Sequence, residues 1–84
     1  MLHTYRKTAT IQAEQFDGSI DMMREYGIVA NPDALHDPEV PLYTMNTKEG
    51  EMIVYKGDYI ATGIDGEHWA IDQDIFERTY ERVD

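Results

Sequence analysis

The sequence predicts an α+β fold: a small antiparallel β-sheet of about five strands, a meander in the second half, with two short helices. Three observations predict it. Turn signals at Lys48-Glu49-Gly50, Lys56-Gly57-Asp58 and Asp65-Gly66 divide Leu42–Ile71 into four short β-prone runs. An alternating run, Thr8–Phe16, precedes the first helix. Ser19 and Asp72 each stand before a stretch with helical spacing.

In "TATIQAEQF", Thr8–Phe16, Ala9, Ile11 and Ala13 share one face and Thr10, Gln12 and Glu14 the other, the pattern of a half-buried strand. Phe16 breaks the alternation, so a bulge or the strand end falls at Gln15. In "DGSIDMMREYG", Asp17-Gly18 punctuates and Ser19 is the N-cap. Ile20 and Met23 fall on one stripe with Met22 and Tyr26 beside it, and Gly27 is the C′ residue. So short a helix is stable only when packed.

"IVANPDALHDPEVPLY", Ile28–Tyr43, holds all three prolines. Asn31-Pro32 reads as N-cap and N1 of a single turn through Leu35. Pro38 and Pro41 stop any helix or central strand. The stretch reads as a long loop, either a surface for function or an Ω-like loop pinned by Leu35 and Val40. The meander follows. Its strongest hairpin signal, Asp65-Gly66, predicts a type I′ turn with φ > 0 at both residues. Asp72 then caps a helix with an apolar stripe of Ile75, Phe76, Thr79 and Tyr80 and an Asp74–Arg78 pair at i,i+4.

A chain of 84 residues is read as one domain, 1–84, with a thin core and little room for a deep catalytic cavity. The absence of cysteine excludes disulfides, thiolate metal sites and a cysteine nucleophile. It also favours the cytoplasm over an oxidising compartment. The N-terminal "MLHTYRKTATIQ" lacks the apolar stretch of a signal peptide. No run of about 18 apolar residues predicts a membrane span. The net charge of −10 argues against direct binding of nucleic acid or an anionic membrane; it reads either as a solubility feature alone or as complementary to a basic partner.

Chemistry-bearing patterns are sparse. His3, His36 and His68 stand far apart, and the acids near Asp65 and Asp72 are separated by a strand, so neither a metal site nor a cofactor is predicted. Ser19 and the threonines lack a nucleophile-elbow context, and the glycine spacings match no phosphate loop, so the chain reads as no enzyme. The candidate binding residues are Tyr59, His68 and Trp69 on the meander and the acids Asp33, Asp37 and Glu39 on the proline loop. Trp69 reads either as a cap on the core or as a partner-facing anchor.

Several segments carry a resemblance. They are Tyr5-Arg6-Lys7, Ala13-Glu14-Gln15-Phe16 with Asp17-Gly18, "TKEGEM", "KGDYI", "GIDGEHW" and "DIFERTYERV". In order and spacing they resemble a group of small phage and prophage proteins. These show Ala-x-Gln-Phe/Trp, Thr-x-Glu-Gly-x-Met, Gly-Asp-Trp/Tyr-Ile and Asp-Ile-Phe-Glu-Lys-Thr-Tyr elements. The chain departs from them at Ile71-Asp72-Gln73, where the group commonly has Cys-Lys-Pro. The resemblance implies a phage or prophage origin and action in the bacterial host cytoplasm, without implying a catalytic activity. The expected function is that of a small acidic accessory protein binding a host or phage protein. Capture of a nucleotide or other small ligand to blunt host defence, and a structural or assembly role in the particle, are the alternatives. An exposed edge strand would make a homodimer easy to build.

Overall fold

The computed structural model describes residues 1–84. Its elements are β1 (Gln12–Gln15), α1 (Ile20–Tyr26), β2 (Ile28–Ala30), a 3₁₀ turn (Pro32–Leu35), β3 (Tyr43–Thr47), β4 (Gly50–Val54), β5 (Tyr59–Thr62), β6 (His68–Ile71) and α2 (Gln73–Thr79). The class is α+β, with six strands in two three-stranded antiparallel sheets rather than about five in one. The first sheet has the order β1-β5-β6, the second β2-β3-β4. Phe16, Met22, Ile28, Met45, Val54, Ile60 and Ala70 form the core between them.

The split into two sheets follows from one turn. The sequence reads Lys56-Gly57-Asp58 as a link between consecutive meander strands. Asp58 N–H does close a tight turn onto the Tyr55 carbonyl at 2.9 Å. Yet the turn is claimed by Phe16, which donates to the Asp58 carbonyl at 2.8 Å and accepts from Gly57 N–H at 2.9 Å. The chain leaving the turn therefore pairs with β1, from Gln15↔Tyr59 to Gln12↔Thr62, and β4 and β5 separate.

Phe16 also decides which face of β1 points inward. No residue of β1 is buried, Ala9 and Ala13 are exposed, and Phe16 is 1% exposed. The strand is shorter than Thr8–Phe16, ends at Gln15 as its broken alternation predicts, and turns Ala13 outward, away from the core. Burying one Phe gains about 1.5–3 kcal/mol, more than an alanine methyl offers, so the larger side chain sets the face.

In α1 the capping expectations hold. Ser19 Oγ accepts Met22 N–H at 3.2 Å, and Gly27 at φ 68° donates its N–H to the Met23 carbonyl. Met22 is buried, with Met23 and Tyr26 packed on the core. Ile20 is 65% exposed and leaves the stripe assigned to it. It stands about 200° around the helix from Met22, and seven residues can bury only one side.

The chain then enters β2, which the sequence reads as part of the proline loop. Three residues are too few to show alternation, but Ile28 is buried and pairs with Met45. Asn31 N–H continues the ladder to the Leu42 carbonyl at 2.8 Å. Asn31 caps the 3₁₀ turn through Asp33 N–H, as its Asn-Pro signal predicts. Leu35 does not pin the loop. It is 78% exposed, whereas Val40 is half-buried.

The β3–β4 hairpin closes with Thr47 opposite Gly50. The β5–β6 hairpin is not type I′. No residue other than glycine has positive φ, so Asp65 stays right-handed and Gly66, at φ 80°, alone is left-handed. Gly66 N–H bonds the Gly63 carbonyl at 3.0 Å and Gly63 N–H the Glu67 carbonyl at 2.8 Å. This is a three-residue loop, a type I turn followed by a glycine bulge, which keeps the strand twist with only one left-handed residue.

Asp72 caps α2 through Ile75 N–H at 3.1 Å, and Arg78 meets Asp74 at 3.1 Å. The stripe expected on α2 is only partly used. No residue of α2 is buried, and Ile75 stays exposed. Phe76 docks the helix by stacking on Tyr59 at 4.0 Å, with Tyr80 stacked on Phe76 at 4.8 Å. No helix is long and apolar enough to cross a membrane.

Candidate functional site

The six candidate binding residues do not converge. Register places Tyr59 and Trp69 on the outer face of the first sheet, opposite Ile71 and Ala61, and His68 on the inner face opposite Thr62. All three are occupied within the fold. Tyr59 lies under Phe76 and its hydroxyl donates to Glu77 Oε2 at 3.2 Å. Burial, then Glu77, raises its pKa above the usual phenol value. His68 Nδ1 is 2.9 Å from Thr62 Oγ1, and its ring meets Tyr26 edge-on at 5.0 Å. Trp69 is half-buried on the sheet side away from the core, so it does not cap the core. Lys7 Nζ lies 5.5 Å from its ring centre, a cation–π contact.

Beside Trp69, Glu67 occupies the space over Gly63, where a Cβ would collide with its carboxylate and stand 2.9 Å from the Trp69 ring. Lys48 reaches Glu67 at 3.4 Å and Asp65 at 3.8 Å, tying the two hairpin tips together. No group of three or more His, Cys, Asp or Glu side chains stands close enough to hold a metal ion.

The acids of the proline loop sit differently. Asp33 lies in the 3₁₀ turn, its carbonyl accepting the N–H groups of His36 and Asp37. Asp37 Oδ1 accepts Glu39 N–H at 3.0 Å, an Asx turn across Pro38 that holds the Glu39 backbone. Glu39 lines an open cleft of about 320 Å³ between Pro38–Tyr43 and Ile53–Lys56.

The cleft opens onto the outer face of the second sheet. Pairing of Val29 with Thr44, and of Thr44 with Ile53, sets one row across this face, and the same register brings Leu42 beside Tyr55. Val29, Leu42, Ile53 and Tyr55 are 42–66% exposed, a contiguous apolar patch around Thr44. Glu51 continues the same side of β4. Lys56, a base, also lines the cleft. The Lys56 stem approaches Gly18, and its charge is one of the lesser influences holding Asp17 below the usual carboxylate range, after the hydrogen bonds from Ser19.

Sequence reasoning missed this patch, although a signal existed. Met52-Ile53-Val54-Tyr55 is apolar at four successive positions. In an antiparallel strand these point alternately to both faces. Met52 and Val54 face the core, so Ile53 and Tyr55 must face out. Comparison with protein-family models, with curated proteins and with solved structures finds no match.

Proposed function

We propose that this chain is a small, acidic, non-catalytic accessory protein that acts by binding another protein through the outer face of its second sheet. The observation that carries this reading is the exposed patch of Val29, Leu42, Ile53 and Tyr55, continuous with the cleft under Pro38–Pro41. Isolated exposed apolar residues need no explanation, but a contiguous set on one sheet face, beside a groove, is the pattern of an interaction surface. The net charge of −10 supports a basic partner and opposes nucleic acid and anionic membranes. The resemblance of its N-terminal and C-terminal segments to small phage and prophage proteins supports an origin in a phage and action in the bacterial cytoplasm.

The test is comparative capture from phage-infected bacteria with the wild type and Ile53→Asp, quantified by mass spectrometry. Ile53 is about half exposed, so the variant keeps its fold, as a thermal melt verifies. A protein retained by the wild type and lost with Ile53→Asp supports the reading. The same proteins retained by both overturns it.

A further inference from the structure

We infer that the cleft between Pro38–Tyr43 and Ile53–Lys56 receives a short apolar segment of the partner that carries lysine or arginine, an inference that rests on the binding role proposed above. The apolar half comes from the floor. Leu42, Ile53 and Tyr55 present aliphatic and aromatic surface to a groove of about 320 Å³, room for one or two side chains.

The cationic half comes from charge. Glu39 lines the cleft with its backbone held by the Asp37 turn and its side chain exposed, and Asp33 lies one short turn upstream. Lys56, the one base among the lining residues, carries its stem toward Gly18, and the loop acids Asp33, Asp37 and Glu39 outnumber it. Lys48 is engaged by Asp65 and Glu67 at the far hairpin tip. A guanidinium or ammonium in the cleft would meet Glu39 and could stack on the exposed Tyr55 ring. A second copy of the chain is the poorer occupant. Each copy carries −10, so a symmetric pair would face acidic rim against acidic rim.

The test uses two synthetic nonapeptides of equal positive charge. One alternates lysine and arginine with isoleucine and valine, and the other has serine and glycine in place of the apolar residues. Both are titrated into the ¹⁵N-labelled full chain. The expected result is shifts centred on Val40, Leu42, Ile53 and Tyr55 with the first peptide and affinity at least about tenfold weaker with the second. Ile53→Asp should weaken the first peptide about tenfold or more. Asp37→Asn/Glu39→Gln should weaken it and flatten its salt dependence.

Equal affinity for the two peptides, no binding, or shifts centred on Asp65, Asp74 or Asp84 overturns the inference. Sedimentation showing self-association through the same residues assigns the cleft to a second copy and also overturns it. The two proposals fail separately. If the peptides fail while Ile53→Asp still loses the captured protein, only the cationic-segment inference falls. If Ile53→Asp retains that protein, the binding role of this face falls whatever the peptides do.

Discussion

Asp58 offers the sharpest test of how the two sheets are joined. It is the one charged side chain in the core, 8% exposed, and its Oδ2 accepts the Tyr55 N–H at 2.9 Å across the turn that separates β4 from β5. Two substitutions divide its roles. Asp58→Ala removes the acceptor and leaves a partly buried N–H unpaired, which costs about 1–3 kcal/mol. For a domain of this size each kcal/mol lowers Tm by about 4–8 °C. Asp58→Asn keeps an oxygen for Tyr55 and removes the charge.

The charge is a liability in the fold. Burial pushes the Asp58 carboxyl above its ordinary value of 3.8, the Tyr55 N–H pulls it partly back, and Asp72 pushes it up again. A carboxyl with a raised folded pKa binds its proton more tightly in the folded state. Its stabilising contribution is therefore complete below about pH 3.8 and is lost as pH rises through the folded value. Relative to wild type, Asp58→Asn should gain stability across that rise and then level off toward neutral pH. Urea denaturation of wild type, Asn and Ala variants between pH 3.5 and about 7.5 measures all of this. An Asn variant as unstable as Ala, or a wild-type-to-Asn difference constant with pH, would refute the reasoning.

Further outcomes follow from other sites. Gly66→Val forces a β-branched residue to φ near 80° and should cost about 1–3 kcal/mol by thermal melting, and an unchanged melt would remove the glycine bulge. Gly63→Ala drives Glu67 off the sheet and crowds Trp69, costing about 1–3 kcal/mol, and adding Glu67→Ala should recover part of the loss. Burial, and then Glu14 and Glu25, push the Tyr26 phenol up to about 12. Its contribution is complete below about pH 10 and lost as pH rises toward 12, so ultraviolet titration should show a late-ionising step near pH 12 that Tyr26→Phe removes.

Much of the local structure was legible in the sequence because its causes are local. Ser19, Asn31 and Asp72 each satisfy the orphan N–H groups two or three residues ahead, and Gly27 takes the left-handed conformation that ends α1. These preferences lie within a few bonds of the residue that carries them. The α+β class and the strands after Leu42 follow in the same way from turn chemistry and short β-prone runs.

The candidate site was legible only in half. Asp33, Asp37 and Glu39 stand out as acids among prolines, and the structure sets Glu39 at a cleft. Tyr59, His68 and Trp69 stand out as aromatic and polar side chains, but Phe76, Thr62 and Lys7 occupy them, contacts made across 5 to 61 intervening positions. The residues that replace them, Val29, Leu42, Ile53 and Tyr55, become one surface only through strand register.

Tertiary structure alone decided the sheet pairing and the choice of faces. Phe16 competes for the Lys56-Gly57-Asp58 turn across 42 residues, and its burial reverses the face that alternation assigned to Ala9 and Ala13. A short alternating strand offers two faces of nearly equal cost, and a turn fixes only the direction in which the chain leaves it. The sequence determines where the chain turns and where its helices start. Which strand meets which, and which apolar residues are left outside, is settled by the largest side chain that the shared core can bury.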